Sequence, residues 1–447
     1  MLKEADMYEY QKRASNAIVE RPRLGEFLEC GLGKTVIALT AVRKLLASGD
    51  VLRVLVVAPK SVAEGVWKQE ANKWEHLQSL RMSVISGTAK QRQQAMRNQA
   101  DIYIVSRDNF AKVVADPDYR HCDMLILDES TSFKNASTKR WKALCRKNGK
   151  RTSLLDDFQR VVLLTGTPVS ESMAGIWAQM YILDRGERLG RTLTEFRTQY
   201  MYPTNFNGYP VWKDFRKGAG RVIERKISDI CISMREKDYL QLPERIDIVR
   251  NTGYEPDSVY KAMQRDGVIR ADGHVVMAGT PATKYGKLRQ IASGAVYTEL
   301  GQAIHIHDKK ENAFRELVED IGENVLVFYQ FDFERQFLED CGAEHIESPE
   351  QQAKWNRGEI KLACAHPVSL GFGNNIQSGG SVIVWYTLPL SLEQYIQANK
   401  RLHRQGQKGS VRVYHMIGKG TIEETVYKLL TSQKAVTLEA LMEYIKV

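Results

Sequence analysis

The 447-residue sequence predicts an α/β fold with two lobes, each built around a parallel β-sheet. Short apolar runs rich in β-branched residues alternate with helix-like stretches, and each run ends in small or polar residues. Buried parallel strands have this pattern, because helices cover both faces of the sheet and polar loops follow the carboxyl ends of the strands. The pattern occurs before residue 186 and again after residue 300, and it fades between them.

The predicted strands fall into two sets. The first set is Val51–Pro59, Asp101–Ser106, Met124–Ser130 and Val161–Pro168. The second set is Asn324–Gln330, Ile360–His366, Ser381–Thr387 and Val411–Ile417. Helix-like stretches separate consecutive runs, which allows neighbouring strands to run parallel.

The stretch Arg197–Arg221, between the two sets, mixes aromatic, Asn, Gly, Pro and basic residues. Aromatic rings stack on bases and lysines meet phosphates, so this composition is consistent with a nucleic-acid contact. An irregular connection packed by its own aromatic residues also explains the composition, and we favour that interpretation. Further along, Ile269–Met277 predicts a β-hairpin that turns at Asp272–Gly273.

The composition is that of a globular protein, with 43% hydrophobic and 26% charged residues. The net charge of +10 favours an anionic partner, although a solvated basic surface explains it equally well. The six cysteines are scattered and form no C-x-x-C pair, which argues against a disulfide framework or a zinc site. Because neither a signal peptide nor a bilayer-spanning apolar run is found, a cytoplasmic protein without a membrane partner is expected.

The stretch EFLECGLGKTVIAL, Glu26–Leu39, has the pattern of a phosphate-binding loop (P-loop) whose first glycine is missing. An apolar segment precedes the loop and a helix-like stretch follows it. Gly31 and Gly33 allow backbone N–H groups to surround a phosphate, and the helix N-terminus adds partial positive charge. Lys34 then reaches the β- and γ-phosphates, and the Thr35 hydroxyl can bind Mg²⁺. A glycine-rich turn without a ligand is the alternative interpretation.

Two acidic residues, Asp128 and Glu129, directly follow the apolar run Met124–Leu127. A buried strand that ends in two carboxylates is costly unless the carboxylates meet a cation. Asp128 is expected to hold Mg²⁺ through water, and Glu129 to orient and deprotonate an attacking water. Two solvated acids at an exposed strand end are the alternative, which the P-loop upstream disfavours.

Two further segments carry groups suited to a nucleotide site. Leu163–Pro168 ends a predicted strand in Thr-Gly-Thr-Pro, which offers two hydroxyls, although a simple turn explains it too. In Gln397–Gln407, Arg401 and Arg404 are three residues apart, so they share a face if the segment is helical. Such a pair can stabilise the negative charge of phosphoryl transfer. A basic helix end is the simpler explanation.

Taken in order, these segments resemble the motifs of superfamily-two helicases, and more narrowly those of the compact, bacterial or bacteriophage type of the Swi/Snf-like family of DNA-translocating ATPases. DESTSFKN is similar to the family's D-E-A-H-x-x-K-N, and QANKRLHRQGQ to its Q-x-x-x-R-x-H-R-x-G-Q. The matches run from about residue 8 to 427. They are YQ at 10–11, GLGKT, VVAPKSV, DESTSFKN, LTGTP, LVFYQF, GFGNN and QANKRLHRQGQ.

The resemblance implies two tandem RecA-like P-loop lobes with parallel sheets and an ATP site in the cleft between them. It places the N-terminal ATP-binding lobe at residues 1–240, with an insertion at about 186–225. The C-terminal helicase lobe follows at residues 241–447, with a connection at about 241–300. Ile232–Val249 looks like the family's exit from the first lobe.

The resemblance also implies roles for the residues that match the motifs. Nucleotide binding falls to Gln11, which would read adenine, and to Gly31, Leu32, Gly33, Lys34, Thr35, Gly371, Arg401 and Arg404. Catalysis falls to Lys34, Asp128, Glu129, Arg401 and Arg404, with Mg²⁺ held by Thr35 and Asp128. Contact with the DNA backbone falls to Pro59, Lys60 and Ser61. Thr165 and Thr167 would couple hydrolysis to lobe movement, and Gly371 and Asn375 would link DNA to the nucleotide site.

Several positions depart from the family pattern, among them Asn374–Asn375, which replace an apolar–Asn pair, and TPVSES, which lacks the asparagine that often follows Thr-Gly-Thr-Pro. Leu28 stands where the family usually has an acidic residue, and Cys30 stands where it has methionine. Ser130–Thr131 replace the Ala-His pair after the two acids, so the family residue for one coupling contact is absent. None of these changes removes a phosphate, metal or arginine-finger residue.

The resemblance implies a DNA-dependent ATPase that couples ATP hydrolysis to translocation on double-stranded DNA or to its remodelling. A strand-separating DNA or RNA helicase is one alternative, and an ATP-controlled DNA clamp or scaffold with little turnover is another. The expected cofactors are ATP and Mg²⁺. A monomeric motor would bind double-stranded DNA through its backbone, without strong sequence preference. It would act in the bacterial cytoplasm, or in the host cytoplasm if encoded by a bacteriophage.

Overall fold

The structure is a computed structural model that describes residues 1–29, 31–146, 153–166, 174–206, 209–239, 242–370, 376–404, 406–407 and 409–432. The chain divides into two compact units, Met1–Leu240 and Gln241–Val447. Within the described residues, no helix is both long and apolar enough to pass through a lipid bilayer.

The first unit contains strands β1–β9 and helices α1–α10. The strands are β1 Arg23–Leu28, β2 Val54–Ala58, β3 Met82–Ile85, β4 Ile102–Ser106, β5 Met124–Asp128, β6 Arg160–Thr165, β7 Met201–Phe206, β8 Tyr209–Phe215 and β9 Cys231–Met234. The helices are α1 Glu9–Glu20, α2 Lys34–Ser48, α3 Trp67–Lys73, α4 Ala89–Arg97, α5 Phe110–Val113, α6 Lys139–Cys145, α7 Ala174–Asp184, α8 Leu193–Tyr200, α9 Ala219–Ile227 and α10 Glu236–Tyr239.

The second unit contains strands β10–β19 and helices α11–α17. The strands are β10 Arg245–Asn251, β11 Val268–Ala271, β12 His274–Met277, β13 Ala295–Tyr297, β14 Ala303–His305, β15 Val325–Phe328, β16 Glu344–His345, β17 Leu362–Ala365, β18 Val382–Trp385 and β19 Val411–Ile417. The helices are α11 Ser258–Asp266, α12 Pro281–Ser293, α13 Lys309–Ile321, α14 Asp332–Asp340, α15 Pro349–Asn356, α16 Leu392–Asn399 and α17 Ile422–Thr431.

The main sheet of the first unit has seven strands in the order β3-β4-β2-β5-β6-β1-β9. Every neighbouring pair in it runs parallel. The strands β2, β4 and β5 are buried along their whole lengths. Because both faces of these strands are covered, their sequences are almost continuously apolar rather than alternating.

The strand order brings the carboxyl ends of three strands of the first unit to one edge of its sheet. β6 lies between β1 and β5, with Phe27 opposite Thr165 and Asp128 opposite Leu164. The carboxyl ends of β1, β5 and β6 are therefore nearly level. The described residues that follow β1 and β5 therefore lie at this edge together with the end of β6, and open α/β sheets bind ligands at such an edge.

The main sheet of the second unit has six parallel strands in the order β10-β19-β18-β15-β17-β16. Successive residues of β18 pack into different apolar clusters. Val382 and Val384 belong to one cluster, whereas Ile383 and Trp385 belong to the other. Since side chains alternate between the faces of a strand, this sheet has an apolar core on each side.

The predicted fold class, α/β with two parallel sheets, is confirmed. All eight predicted strands are present, as β2, β4, β5, β6, β15, β17, β18 and β19. The strands that were not predicted include the four edge strands of the two main sheets, β3, β9, β10 and β16. Edge strands are only partly buried, so they lack the apolar run that marks an interior strand.

Two predictions concerned the region between the strand sets. The hairpin predicted at Ile269–Met277 is confirmed, since β11 and β12 pair antiparallel on either side of Asp272–Gly273. The irregular connection favoured for Arg197–Arg221 is wrong. This stretch forms the end of α8, the antiparallel pair β7–β8 and the start of α9. Its aromatic and β-branched residues lie in paired strands, which composition alone did not separate from a packed loop.

Candidate functional site

The P-loop of the first unit joins the end of β1 to the start of α2. Gly31 and Gly33 have φ angles of 100° and 80°, a left-handed conformation that favours glycine. Gly33 is the N-cap residue of α2, and Leu32 is fully buried beneath the loop. The Lys34 ammonium donates to the carbonyl oxygen of Leu28 over 3.1 Å, which keeps this side chain beside the loop. The structure therefore has the strand–loop–helix context that the sequence predicts.

Gln11 of α1 packs directly against the P-loop. Its Nε2 donates to the carbonyl oxygen of Leu32 over 3.1 Å, and its Oε1 accepts from the backbone N–H of Tyr8 at 3.0 Å. A Cβ atom at position 33 would lie 2.4 Å from Gln11 Nε2, so a larger residue would have to displace the Gln11 amide. The side chain expected to read adenine thus supports the loop, and its contact with a nucleotide stays a prediction.

Asp128 and Glu129 lie at the carboxyl end of β5. The Asp128 carboxylate is 7% exposed and accepts a hydrogen bond from the indole Nε1 of Trp67 over 3.0 Å. Burial and the neighbouring Glu129 raise the pKa of Asp128 to about 6, while Lys34 acts in the opposite direction. β1, which leads to Lys34, and β5, which ends at Asp128, both pair with β6, so the two residues lie at the same edge of the sheet.

The backbone of Glu129 is in an unusual conformation, with φ 51° and ψ 61°. A non-glycine residue in the left-handed region costs of order 1–3 kcal/mol, and such residues are concentrated at functional sites. The hydroxyl of Thr165 donates to Glu129 Oε2 over 3.3 Å. Thr165, at the end of β6, thereby connects the predicted water-activating residue to the next strand of the sheet.

The residue set is suited to Mg²⁺. Hydroxyl and carboxylate oxygens are the ligands Mg²⁺ takes, and it usually binds through one or two carboxylates plus substrate phosphates. Asp128 is a buried carboxylate and Thr35 a partly exposed hydroxyl next to Lys34. Among the described residues, no group of three or more His, Cys, Asp or Glu side chains could form a metal cage. Mg²⁺ held with the help of a nucleotide fits these residues better than a protein-only metal site.

Ser130, which replaces a family alanine, has a partner in α7. Its hydroxyl donates to Gln179 Oε1 over 2.8 Å, and both side chains are fully buried. The loop after Asp128–Glu129 is therefore tied to the helix that follows β6. This contact joins residues 49 positions apart in the chain, so no local pattern could have indicated it.

Glu26 is a buried acid that sequence reasoning missed. It lies in the middle of β1, is fully buried, and neither carboxylate oxygen has a hydrogen-bond partner among the described residues. Burial raises the pKa of Glu26 well above its ordinary value, and Lys34 opposes this shift. A single acid within the apolar strand sequence RLGEFL was the available signal.

The predicted DNA-contact segment follows β2. Lys60 and Ser61 are exposed, whereas Pro59 is buried. A π-helical turn at Val62–Val66 leads from them to Trp67, the partner of Asp128. Three residues expected to act in coupling lie outside the described residues: Thr167, Gly371 and Asn375.

Arg401 and Arg404 belong to the second unit and are only partly exposed. The expectation that they share a helix face is wrong, because α16 ends at Asn399 and turns follow. Two features of the structure lie at this end of the helix. The Asn399 Oδ1 accepts from Trp385 Nε1 at 3.0 Å, and Leu402 is fully buried, which draws the chain into the core. Their role as arginine fingers, and the ATP site between the lobes, stay predictions.

A parallel sheet with a P-loop after its β1 strand and an Asp-Glu pair after β5 defines a P-loop nucleotide-binding protein. Residues 20–280 match the family model described as the SNF2-related domain, and the chain belongs to this family. The family resemblance deduced from the motifs is thus confirmed. Members of this family are helicase-like ATPases.

Similar proteins occur in a phage and in a bacterium. The chain is 33% identical over 459 residues to protein p41 of Acyrthosiphon pisum secondary endosymbiont phage 1, covering 98% of both chains. It is 24% identical to the uncharacterised ATP-dependent helicase MG018 of Mycoplasma genitalium, where it covers 98% of this chain and 42% of that protein. A solved structure, the Sulfolobus solfataricus SWI2/SNF2 ATPase core in complex with dsDNA, is similar with 19% identity, a TM-score of 0.46 and coverage of 96% of this chain and 91% of that one.

Proposed function

We propose that this protein is a DNA-dependent ATPase that couples ATP hydrolysis to translocation on double-stranded DNA or to its remodelling. The observation that supports it most is that β1 and β5 both pair with β6, which places Lys34, Asp128 and Glu129 at one edge of a parallel sheet. A P-loop lysine, a metal carboxylate and a water-activating carboxylate are the groups that phosphoryl transfer to water requires. Family membership then favours double-stranded DNA as the molecule to which hydrolysis is coupled.

In this proposal, the P-loop N–H groups and Lys34 hold the β- and γ-phosphates of ATP. Thr35 and Asp128 would hold Mg²⁺, which when bound neutralises charge on the phosphate oxygens. Glu129 orients the attacking water and accepts its proton. The Thr165 hydroxyl keeps the Glu129 carboxylate in place, and the left-handed backbone of Glu129 sets its direction.

The second unit supplies the remaining charges in this proposal. Arg401 and Arg404 stabilise the negative charge that spreads over the γ-phosphate, an effect worth about 10³–10⁵ in rate for arginine fingers.

Contacts of Lys60 and Ser61 with the DNA backbone carry no base identity, so binding is independent of sequence and falls steeply with salt. The proposed motor acts as a monomer.

Phosphate release measured without nucleic acid, and with double-stranded DNA, single-stranded DNA or RNA, at two salt concentrations tests this proposal. We expect the largest stimulation with double-stranded DNA and a loss of stimulation at high salt. Lys34→Ala should abolish hydrolysis. Lys44→Ala, which changes a partly exposed lysine of the same helix, should not. Normal hydrolysis by Lys34→Ala would overturn the proposal.

The same assay separates the two alternatives. Stimulation only by a single strand or by RNA would favour a strand-separating helicase, the activity named for the Mycoplasma relative. Slow turnover that no nucleic acid changes would favour an ATP-controlled clamp. If turnover is slow in this way, the rate of the Glu129→Gln variant can be compared with that of the wild type, because the change keeps the shape of the side chain and removes its basicity.

A further inference from the structure

A group of five cations in the first unit, here called the basic platform, lies at the end of the β7–β8 hairpin and on α9. Its members are Arg216, Lys217, Arg221, Arg225 and Lys226. We propose that the basic platform is a second contact for the phosphate backbone of duplex DNA, separate from the predicted contact at Pro59–Ser61. This inference rests on the proposed function and extends it to a surface to which the family motifs assign no role.

The platform side chains face away from the protein core. In α9, Ala219, Ile223 and Ile227 are buried, so one stripe of the helix packs inward. Arg221 and Arg225 lie on the opposite stripe, one helical turn apart, and both are exposed. Arg216, Lys217 and Lys226 are exposed as well. A ligand that approaches α9 from outside would meet these cations first.

α9 contains one acidic residue, the exposed Glu224, beside the platform cations. Within the described part of the chain, no ion pair involves Arg221, Arg225 or Lys226. Other arginines at the surface of the same unit are paired, for example Arg81 with Asp101 at 2.6 Å and Arg97 with Asp118 at 2.9 Å. The positive charge of the platform is therefore available to an external anion.

Helix stability does not explain the platform. Cations are favourable at a helix C-terminus, which accounts for Arg225 and Lys226. Arg221 lies in the first turn, and Arg216 and Lys217 precede it, where the helix dipole disfavours positive charge. Like charges four residues apart, as in Arg221 and Arg225, also destabilise a helix. A polyanion bound to this surface would offset both the unfavourable interaction with the helix dipole and the repulsion between the like charges.

Two of the cations are held in place by aromatic rings. The guanidinium of Arg216 lies 5.3 Å from the ring centre of Tyr202, and it also donates to the carbonyl oxygens of Thr198 and Met201. The ammonium of Lys226 lies 5.6 Å from the ring centre of Tyr200. The Tyr202 ring is 49% exposed, so its hydroxyl can donate to a phosphate beside Arg216. Fixed cations lose less side-chain entropy when they bind.

The test is binding of a fluorescent 30-base-pair duplex, followed by anisotropy at several salt concentrations. The platform variant is Arg221→Glu/Arg225→Glu/Lys226→Glu. The control variant is Lys3→Glu/Arg13→Glu/Lys90→Glu, which has the same change in net charge at separate, exposed positions of the same unit. We expect the platform variant to bind at least about tenfold more weakly and its log K against log salt slope to fall by about 2–3. The control should stay within about twofold of the wild type.

Hydrolysis supplies the second readout. The basal rate without DNA should not change in the platform variant, whereas the DNA concentration for half-maximal stimulation should rise about tenfold. Duplex affinity equal to that of the wild type, or an equal loss in the control, would overturn the inference. Weaker binding of the platform variant to RNA or to an acidic protein, with no change in its affinity for duplex DNA, would also overturn the inference. If the wild type itself neither binds duplex DNA nor is stimulated by it, the proposed function fails instead. Should the triple variant not fold, Arg221→Gln/Arg225→Gln provides the same comparison with about two-thirds of the expected change in slope.

Discussion

The indole Nε1 of Trp67 donates a hydrogen bond to Oδ2 of Asp128 over 3.0 Å, and both side chains are buried. Trp67 begins α3, directly after the π-helical turn Val62–Val66. That turn follows Pro59–Ser61, the segment predicted to contact the DNA backbone. One hydrogen bond therefore links this segment to the residue predicted to hold Mg²⁺, which offers a short route between DNA binding and hydrolysis.

The first prediction removes this hydrogen bond with Trp67→Phe. We expect the hydrolysis rate with saturating duplex DNA to fall about tenfold or more, because the Asp128 carboxylate loses the donor that orients it. The free energy of unfolding should fall by about 1–3 kcal/mol, since a buried acceptor loses a partner. Trp74→Phe is the control, because Trp74 Nε1 donates to Glu70 over the same 3.0 Å away from the site. An equal loss of rate in both variants would contradict the proposed link.

The second prediction concerns the glycine at the start of α2. Gly33→Ala should weaken ATP binding about tenfold or more and lower the free energy of unfolding by more than about 1–2 kcal/mol. The new methyl group meets Gln11 Nε2 and the backbone is left-handed. Gly49→Ala, at the other end of α2, has nearly the same φ, 78°, and nothing within 4 Å of the new Cβ. Gly49→Ala should therefore lower the free energy of unfolding only by the cost of a left-handed backbone, and ATP should bind with normal affinity. Calorimetric titration with ATP and urea unfolding measure the two effects.

The third prediction is a pH-dependent stability difference caused by Glu26. The pKa of the buried carboxyl is raised in the folded state, so the folded protein keeps a proton that the unfolded chain releases above about pH 4.5. Stability from this group is therefore present at low pH and declines as the pH rises toward the folded pKa. Glu26→Gln cannot lose a proton, so its advantage in free energy of unfolding should grow with pH, by up to about 1.4 kcal/mol per pH unit.

Urea unfolding of the wild type and Glu26→Gln between pH 5 and pH 8 measures this difference. Glu26→Leu provides a second comparison, because it removes the polar group altogether. A difference between wild type and Glu26→Gln that does not change with pH would show that Glu26 titrates alike in the folded and unfolded chains.

The fourth prediction addresses a buried ion pair in the second unit. Lys310 of α13 is fully buried and pairs with Glu423, and its Nζ also donates to Thr387 Oγ1 over 3.1 Å. Lys310→Met should destabilise the unit by about 3–5 kcal/mol, because it leaves the Glu423 charge buried alone. The double variant Lys310→Met/Glu423→Gln should regain much of this loss.

The matched control for this pair is Lys354→Met. Lys354 and Glu350 form an exposed i,i+4 pair at 3.7 Å, and pairs of this kind contribute about 0–1 kcal/mol. If Lys310→Met were no more destabilising than Lys354→Met by urea unfolding, Glu423 would have to take up a proton or reach solvent without its partner.

The interior strands of both sheets could be predicted from the sequence, whereas the edge strands could not. Met124–Ser130 was predicted and Met124–Asp128 is observed, because a strand covered on both faces has to be apolar along its length. The edge strand Arg245–Asn251 alternates partly buried and exposed residues, and its sequence, RIDIVRN, resembles many surface segments. The same limit applies to Arg401 and Arg404, since the sequence does not show that α16 ends at Asn399, before both arginines.

By itself, the sequence determined the chemistry of the candidate site. Gly31, Gly33, Lys34, Asp128 and Glu129 could be named because phosphate and metal binding require those residue types at that spacing along the chain. Only the tertiary structure decided which side chains support them. Gln11 against Gly33, Trp67 with Asp128, Ser130 with Gln179 and the buried Glu26 are contacts between distant parts of the chain. Spacing encodes what one segment can bind, whereas a partner across the sheet depends on strand order, which no local pattern contains.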